Sequence, residues 1–171
     1  MPTFADEKER KLQILKDRLR ILFVCHGNIC RSPMAEYIAK KLVRDRGREA
    51  EFEIASAATS TEELGNPVYP PARRKLAEHG IRCEGHHARQ IVQEDYDHYD
   101  LLIGMDQYNI RNMMRFFGGD PEGKIHLLLD YTDRPGDVAD PWYTGNFERT
   151  YDDIVDGLNG FLEYLRNNGL I

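Results

Sequence analysis

The sequence predicts a single-domain α/β fold in which a central four-stranded parallel sheet carries helices on both faces. Short β-rich apolar runs alternate with amphipathic helical patterns about four times along the chain, as expected of βαβ units. Residues 20–25, RILFVC, are almost continuously apolar, which is typical of a strand buried on both faces. The 171 residues, 41% of them apolar, suffice for one hydrophobic core. Ligands of such sheets bind at the carboxyl ends of the strands.

The first half of the chain shows two strand and helix pairs. Residues 20–25 predict the first strand, and apolar residues at i, i+3 and i+4 predict a helix from Ser32 to about Arg46. The alternating pattern of residues 51–57, EFEIASA, predicts the second strand. Residues 71–80, PARRKLAEHG, predict a helix that ends at its glycine.

The second half repeats this alternation. Residues 99–106, YDLLIGMD, predict the third strand, and a short helix is expected to follow it to about Phe117. Residues 124–130, KIHLLLD, predict the fourth strand. A long final helix is expected from Glu148 to Arg166.

The chain divides into a short N-terminal extension and one domain. Residues 1–18 place a few leucines among many charges, which predicts either a short helix or a disordered segment. The domain is expected to span residues 19–171. Within it, the segments 56–70 and 129–147 are rich in Gly, Pro, Asn and Asp and are too long for plain connectors. We expect them to form the walls of a site.

Composition argues against several classes of protein. A net charge of −6 disfavours a nucleic-acid partner, because binding to phosphate backbones relies on clustered positive charge. No apolar window of about eighteen residues is present, so no membrane span is expected. The N-terminal residues lack the apolar core of a secretory signal. Three cysteines without a secretory context indicate a reducing compartment, and we expect a cytoplasmic monomer.

The segment CHGNICRS, residues 25–32, connects the first strand to the first helix. The amides and the dipole of a helix N-terminus stabilise an oxyanion. Gly27 lets the backbone curl, and the loop amides together with Arg31 favour the thiolate of Cys25. The guanidinium of Arg31 suits two phosphoryl oxygens, and Ser32 is expected to cap the helix and donate a hydrogen bond to the thiolate. The loop is interpreted as a thiolate nucleophile beneath a bound phosphate.

Each of these residues has a simpler interpretation when it is taken singly. A cysteine that ends a buried strand is usually a small core residue. An arginine near the start of a helix usually lies on the surface. The combination of Cys25, Arg31 and Ser32 between a buried strand and a helix favours the catalytic interpretation.

The residues around this loop resemble a known family. VCHGNICRSPMAE is similar to the Cys-x5-Arg-Ser signature of the low-molecular-weight protein tyrosine phosphatases of bacterial type. Further stretches match in order: SAATS at 56–60, GNP at 65–67, HHARQ at 86–90, MD at 105–106 and DPWYTGNFE at 140–148. The resemblance runs from about residue 19 to the C-terminus. It implies a flavodoxin-like fold with a phosphate loop after the first strand.

The resemblance implies a catalytic residue set and a reaction. Cys25 would be the nucleophile, Arg31 the phosphate clamp and Asp140 the general acid on a loop that moves over the pocket mouth. The reaction would hydrolyse protein phosphotyrosine and small aryl phosphates through a phosphocysteine intermediate. Neither a metal nor another cofactor is implied.

The resemblance also implies residues that bind the substrate and support the loop. Trp142 and Tyr143 would form an aromatic wall for the phenyl ring, in a deep apolar slot opposite residues 59–65. A buried hydrogen-bond network would join His86 and Ser56 to the loop. The loop residues that would hold the phosphate are His26, Gly27, Asn28, Ile29, Cys30 and Ser32, of which Asn28 and Ser32 also belong to the network.

Other functions share this scaffold. Protein arginine phosphatases carry a threonine where this chain has Ile29, and an apolar residue there favours phosphotyrosine. Thioredoxin-coupled arsenate reductases need a second pair of cysteines, whereas this chain has only Cys83 outside the loop. A silent phosphate-binding or interaction module is disfavoured by the joint presence of Cys25, Arg31 and Asp140.

Two features of the loop region leave questions open. His26 replaces a leucine that is common beside the nucleophile, and Glu62 lies about where some animal members carry an aromatic residue, which puts the peptide preference in doubt. The curled loop is expected to bring Cys30 close enough to Cys25 for a reversible disulfide under peroxide. The alternative is that Cys30 packs passively below the loop.

Overall fold

The computed structural model describes residues 3–9 and 18–171 of the chain. The strands are β1 Leu19–Cys25, β2 Phe52–Ala58, β3 Leu101–Gly104 and β4 Ile125–Leu127. The helices are α1 Arg31–Asp45, α2 Pro70–Glu78, α3 Gln93–His98, α4 Gln107–Phe117, α5 Pro141–Thr144 and α6 Phe147–Asn167. Short 3₁₀ helices lie at Glu49–Glu51 and Leu128–Tyr131. None of the helices in these ranges has the length and apolar content needed to cross a bilayer.

The four strands run parallel in the order β2-β1-β3-β4, which confirms the predicted α/β fold. β1 is one of the two inner strands, and its Phe23 lies opposite Ser56 of β2 and Ile103 of β3. Because the strands are parallel, their carboxyl ends meet at one edge of the sheet. The loop after Cys25 therefore lies beside the segment that follows Ala58.

Helices cover both faces of the sheet, as the apolar run of β1 predicts. Phe23 belongs to one hydrophobic cluster, together with Ile38 of α1 and Leu158 of α6. The preceding residue, Leu22, belongs to the opposite cluster together with Met113 of α4. All of these side chains are buried. Because successive side chains of β1 point to opposite faces of the sheet, both clusters pack against the strand and hold its end in place.

The helix after β1 begins at Arg31, one residue before the predicted start. Cys30 occupies the N-cap position, and no side chain caps the helix, so the predicted capping role of Ser32 is wrong. The Ser32 hydroxyl points into the interior instead, where it contacts Sγ of Cys25. The N-cap residue precedes the first turn of a helix, whereas Ser32 is the second residue of α1. Its hydroxyl is therefore not placed to cap this helix.

The sequence analysis does not predict the short helices α3 and α5. The backbone N–H of Val92 donates to Asp95 at 2.8 Å and so caps α3. Asp140 precedes α5 and accepts a hydrogen bond from the backbone N–H of Trp142 at 3.0 Å. Of the predicted N-terminal extension, residues 4–9 are helical, whereas residues 1–2 and 10–17 lie outside the described residues.

Candidate active site

A cavity of about 260 Å³ opens at the carboxyl edge of the sheet, where β1 turns into α1. One side is formed by the loop after β1, and the other sides come from the two long connections that were predicted to be walls. The lining residues are Cys25, His26, Gly27, Asn28, Ile29, Cys30, Arg31, Glu62, Glu63, Asp140, Trp142 and Tyr143. The fold thus brings the residues of the loop together with Asp140, more than a hundred positions later in the chain.

Asn28 shapes the loop. Its φ is 60°, and it is the one non-glycine residue with positive φ in the described ranges. The buried side chain donates to Ser32 Oγ at 2.8 Å and to Ser56 Oγ at 2.9 Å. Its carbonyl accepts a hydrogen bond from His86 Nε2 at 2.8 Å, and its Oδ1 accepts one from the backbone N–H of Arg89 at 3.2 Å. The residues of the predicted network therefore meet at Asn28.

Glu36 extends this network and was missed by the sequence analysis. It is buried on α1, and its Oε1 accepts a hydrogen bond from Ser56 Oγ at 2.6 Å. The other carboxylate oxygen pairs with Lys40 one turn further along the helix. The spacing of four residues from Ser32 places Glu36 on the same helix face, and this spacing is the signal that could have found it.

The Cys25 sulfur lies at the end of β1 and is surrounded by hydrogen-bond donors. Ser32 Oγ is 3.0 Å away, and the backbone N–H of Asn28 donates to the sulfur at 3.3 Å. Asn28 donates to Ser32 Oγ, so the Ser32 hydroxyl keeps its own proton to donate to the Cys25 sulfur at 3.0 Å or to the Ala57 carbonyl at 3.5 Å. Donors directed at sulfur stabilise negative charge on it. The arrangement suits a thiolate.

Arg31 is buried at the first position of α1 and points to the cavity. Its Nη1 donates to Asp106 at 2.7 Å and to the carbonyl of Val138 at 3.1 Å, while Nη2 donates to Asp140 at 3.3 Å. Burial lowers the pKa of Arg31, but the negative charges of Cys25, Asp106 and Asp140 outweigh it and raise this pKa. Asp106 belongs to the MD stretch, but the sequence analysis gave it no role.

Hydrogen bonds of the preceding residue, Ala139, and of Asp140 itself hold the Asp140 segment in place. The backbone N–H of Ala139 donates to Asp153 at 3.4 Å, and its carbonyl accepts a hydrogen bond from the buried Thr150 hydroxyl at 2.9 Å. Asp140 itself accepts from the backbone N–H of Trp142. Helix α6 therefore anchors the segment that presents the Asp140 carboxyl to the cavity.

The aromatic wall is more open than the predicted slot. Trp142 and Tyr143 line the cavity, yet they are 58% and 86% exposed. Both belong to the four-residue helix α5, of which only Pro141 is buried. The Trp142 ring packs on Tyr69, with 5.2 Å between the ring centroids. The wall is therefore a shallow surface that a phenyl ring could lie against, and the prediction of a deep slot is wrong.

The cavity also contains a second thiol. Cys30 is buried and lines the same cavity as Cys25, and both cysteines are free. Burial raises the pKa of Cys30 to about 12, and the charges of Cys25, Asp140 and Glu63 add to this effect against the opposing charge of Arg31. Cys30 is therefore a neutral thiol at physiological pH.

One group of possible metal ligands is present in the described part of the chain, but it does not line the cavity. It consists of Glu78, His79 and Glu148 on the surface. Lys75 bridges the two carboxylates, with ion pairs of 2.7 Å to Glu78 and 2.5 Å to Glu148. The lysine ammonium offsets one of the two negative charges of this group.

Comparison with known proteins places this geometry in context. The family model described as low molecular weight phosphotyrosine protein phosphatase matches residues 20–170. The low molecular weight protein-tyrosine-phosphatase YfkJ of Bacillus subtilis is 39% identical over 146 residues, which cover 84% of this chain and 94% of that protein. A low molecular weight phosphotyrosine protein phosphatase of Gallus gallus is 40% identical over 148 residues, with 84% and 93% coverage.

Solved structures agree with these sequence matches. The crystal structure of YfkJ from Bacillus subtilis has a TM-score of 0.86 and 37% identity, and the match covers 89% of this chain and 97% of that one. The Drosophila arginine phosphatase DARP has a TM-score of 0.76 and 30% identity, with 84% and 96% coverage. The similarity in both cases includes nearly the whole solved chain.

Proposed function

The chain belongs to the low molecular weight phosphotyrosine protein phosphatase family, and from this premise we propose that it hydrolyses protein phosphotyrosine through a phosphocysteine intermediate. It is a cysteine-dependent phosphatase. One observation carries the assignment of roles: Cys25 Sγ faces hydrogen-bond donors in a cavity that Arg31 and Asp140 also line. A nucleophile, a cation and an acid around one space are the groups that phosphate-ester cleavage needs.

In the first step, the Cys25 thiolate attacks the phosphorus atom of the bound monoester. The S–P bond forms while the P–O bond to the tyrosine breaks, and Asp140 gives its proton to the departing phenolic oxygen. The products are the substrate protein with a dephosphorylated tyrosine side chain and phosphocysteine at Cys25.

In the second step, water attacks the phosphocysteine. Asp140, now a carboxylate, takes a proton from the water, the S–P bond breaks, and Cys25 leaves as a thiolate. Arg31 and the loop amides stabilise the charge on the equatorial oxygens in both steps. His26, Gly27, Asn28, Ile29, Cys30 and Ser32 are proposed to form this phosphate cradle.

The physiological setting follows from the same chemistry. A tyrosine-phosphorylated protein is the proposed partner, with Trp142 and Tyr143 beside its phenyl ring. A thiolate nucleophile has to stay reduced, so we place the enzyme in the cytoplasm. We further propose a monomer whose phosphatase domain spans residues 19–171 behind an extension of residues 1–18. The family match over residues 20–170 supports this division.

Phosphoarginine is the second candidate substrate. The structural similarity to the Drosophila arginine phosphatase favours it, since that fold covers 84% of this chain. Ile29 argues against it, because an apolar side chain at this point of the cradle offers no hydrogen bond to a guanidinium group. Arsenate reduction through a cysteine relay is disfavoured because Cys83 lacks a partner outside the loop.

We propose that Cys25 and Cys30 form a reversible disulfide under peroxide. The Cys25 thiolate attacks one oxygen of hydrogen peroxide, the O–O bond breaks, and a sulfenic acid and hydroxide form. The Cys30 thiol then attacks the Cys25 sulfur, the S–S bond forms, and the hydroxyl group leaves with the Cys30 proton as water. Cys30 carries a raised pKa partly because Cys25 is negatively charged, and oxidation of Cys25 removes that charge.

The central test is hydrolysis of a chromogenic aryl phosphate in the presence of EDTA. Wild type and the matched thiol control Cys83→Ala are expected to be active, Cys25→Ser inactive and Asp140→Asn impaired. Activity in Cys25→Ser would refute the nucleophile, and loss of wild-type activity with EDTA would refute the metal-free mechanism. Phosphotyrosine, phosphoserine and phosphoarginine peptides then rank the substrates, and a preference for phosphoarginine would favour the second candidate.

A further inference from the structure

Two carboxylates line the cavity together with its aromatic wall. They belong to Glu62 and Glu63, in the connection between β2 and α2, and we call this pair the acidic rim. The Glu62 carboxylate lies 3.0 Å from His26 Nε2, and Glu63 accepts a hydrogen bond of 2.6 Å from Asn66. In the part of the chain that the structure describes, neither carboxylate pairs with a lysine or an arginine.

The acidic rim is held close to the phosphate loop. A Cβ atom added to Gly27 would lie 3.3 Å from Cγ of Glu63, so the stem of this side chain packs against the loop backbone. The loop is further tied to the connection by the backbone N–H of Ser60, which donates to the carbonyl of His26 at 3.1 Å. Both carboxylates therefore stay at the cavity mouth.

The described lining of the cavity offers one permanent cation to offset this rim. Arg31 is its guanidinium, and it already contacts Asp106 and Asp140. A phosphotyrosine dianion that engages Arg31 adds negative charge to the cavity that Glu62 and Glu63 also line. The phosphate and the two carboxylates repel each other, and positive charge on the substrate relieves this repulsion.

We propose that the acidic rim selects phosphotyrosine peptides that carry lysine or arginine within one or two residues of the phosphotyrosine. The inference rests on the proposed function. In this arrangement the phosphate occupies the cavity and the phenyl ring lies against the aromatic wall. The peptide side chains next to the phosphotyrosine then lie near the acidic rim, which lines the same cavity. A lysine or arginine there pairs with Glu62 or Glu63, whereas an acidic residue meets two like charges.

The rim residues are largely exposed, so each contact is expected to be modest. A single exposed pair changes affinity by roughly two- to fivefold. Because a lysine is attracted where a glutamate is repelled, the two contributions combine to about a tenfold difference in kcat/KM between a basic and an acidic peptide. The difference is expected to shrink at high ionic strength, where exposed charges are screened.

The test uses two phosphotyrosine peptides that differ only in having lysine or glutamate on both sides of the phosphotyrosine. Their kcat/KM values are measured at about 0.05 M and about 0.5 M salt with wild type, Glu62→Gln, Glu63→Gln and the double variant. Glu163→Gln, an exposed residue of α6, is the matched control for the loss of one negative charge.

Wild type and Glu163→Gln are expected to prefer the lysine peptide about tenfold at low salt. The single rim variants are expected to show a smaller preference, and the double variant nearly none. An equal preference in wild type and the double variant, or a preference for the glutamate peptide, would overturn the acidic rim as a selector. Failure to hydrolyse either peptide would instead overturn the proposed function, so the two failures are distinguishable.

Discussion

Replacing Asn28 by alanine is expected to destabilise the protein and to disorganise the phosphate loop. The side chain makes three hydrogen bonds, to Ser32, Ser56 and the backbone of Arg89. Each bond contributes about 0.5–1.5 kcal/mol to stability, so their loss costs about 3 kcal/mol. The positive φ of 60° adds about 1 kcal/mol, because alanine tolerates this conformation less well than asparagine.

Asn28→Gly separates these two contributions. Glycine adopts a positive φ without steric cost but makes none of the side-chain hydrogen bonds. We therefore expect Asn28→Ala to lower the free energy of unfolding by about 4 kcal/mol and Asn28→Gly by about 3 kcal/mol. The matched control is Asn159→Ala on the exposed side of α6, which is expected to change stability by less than about 0.5 kcal/mol.

Urea unfolding followed by circular dichroism measures the stabilities. Hydrolysis of an aryl phosphate, at a temperature where all variants are folded, measures the consequence for the site. We expect kcat/KM to fall by about tenfold or more in Asn28→Ala, because the amide of Asn28 no longer points at the Cys25 sulfur.

Two results would refute the reasoning about Asn28. One is an unfolding free energy for Asn28→Ala within about 0.5 kcal/mol of wild type, since it would mean that the buried network contributes little. The other is an Asn28→Gly variant that is less stable than Asn28→Ala, which would contradict the role assigned to the positive φ.

Three further experiments address the remaining groups of the site. Asp140→Asn is expected to lower kcat about 10²- to 10⁴-fold for phenyl phosphate and far less for an ester with an acidic leaving group; equal losses would exclude a general acid. Thr150→Val leaves the Ala139 carbonyl without its donor, and we expect a smaller loss with the same dependence on the leaving group, whereas a uniform loss would indicate structural damage alone. Cys30→Ser is expected to lose dithiothreitol-reversible recovery from peroxide inactivation, and recovery equal to that of wild type would make Cys30 a bystander.

The elements with long patterns could be predicted from the sequence. The apolar run of β1 and the helical periodicity of α1 and α6 each extend over several residues, so the pattern is strong and the boundaries are close. The helices α3 and α5 have only six and four residues and carry no such pattern. They depend on the carboxylates of Asp95 and Asp140, which cap them in the folded chain.

The candidate site also has one part that the sequence predicts and one part that it does not. Residues 25–32 are contiguous, so the spacing of their side chains is already present in the chain, and the resemblance to a family rests on them. The roles of Asp106 and Thr150 could not be read from spacing. Asp106 contacts Arg31 but lies 75 residues after it in the chain. Thr150 belongs to α6, whereas the Ala139 carbonyl to which it donates precedes α5. The exposure of Trp142 and Tyr143 could not be read from the sequence either, because it depends on how α5 packs in the folded chain, where only Pro141 of this helix is buried.

The sequence by itself determined the strand and helix alternation, the position of the phosphate loop and the identity of its nucleophile candidate. These properties follow from local periodicity and from residues that are neighbours in the chain. Only the tertiary structure decided which carboxylates face Arg31, which hydroxyls fix Asn28 and which acids stand at the cavity mouth. A parallel sheet collects the ends of strands that are distant in sequence at one edge, and their mutual distances arise only when the core has packed.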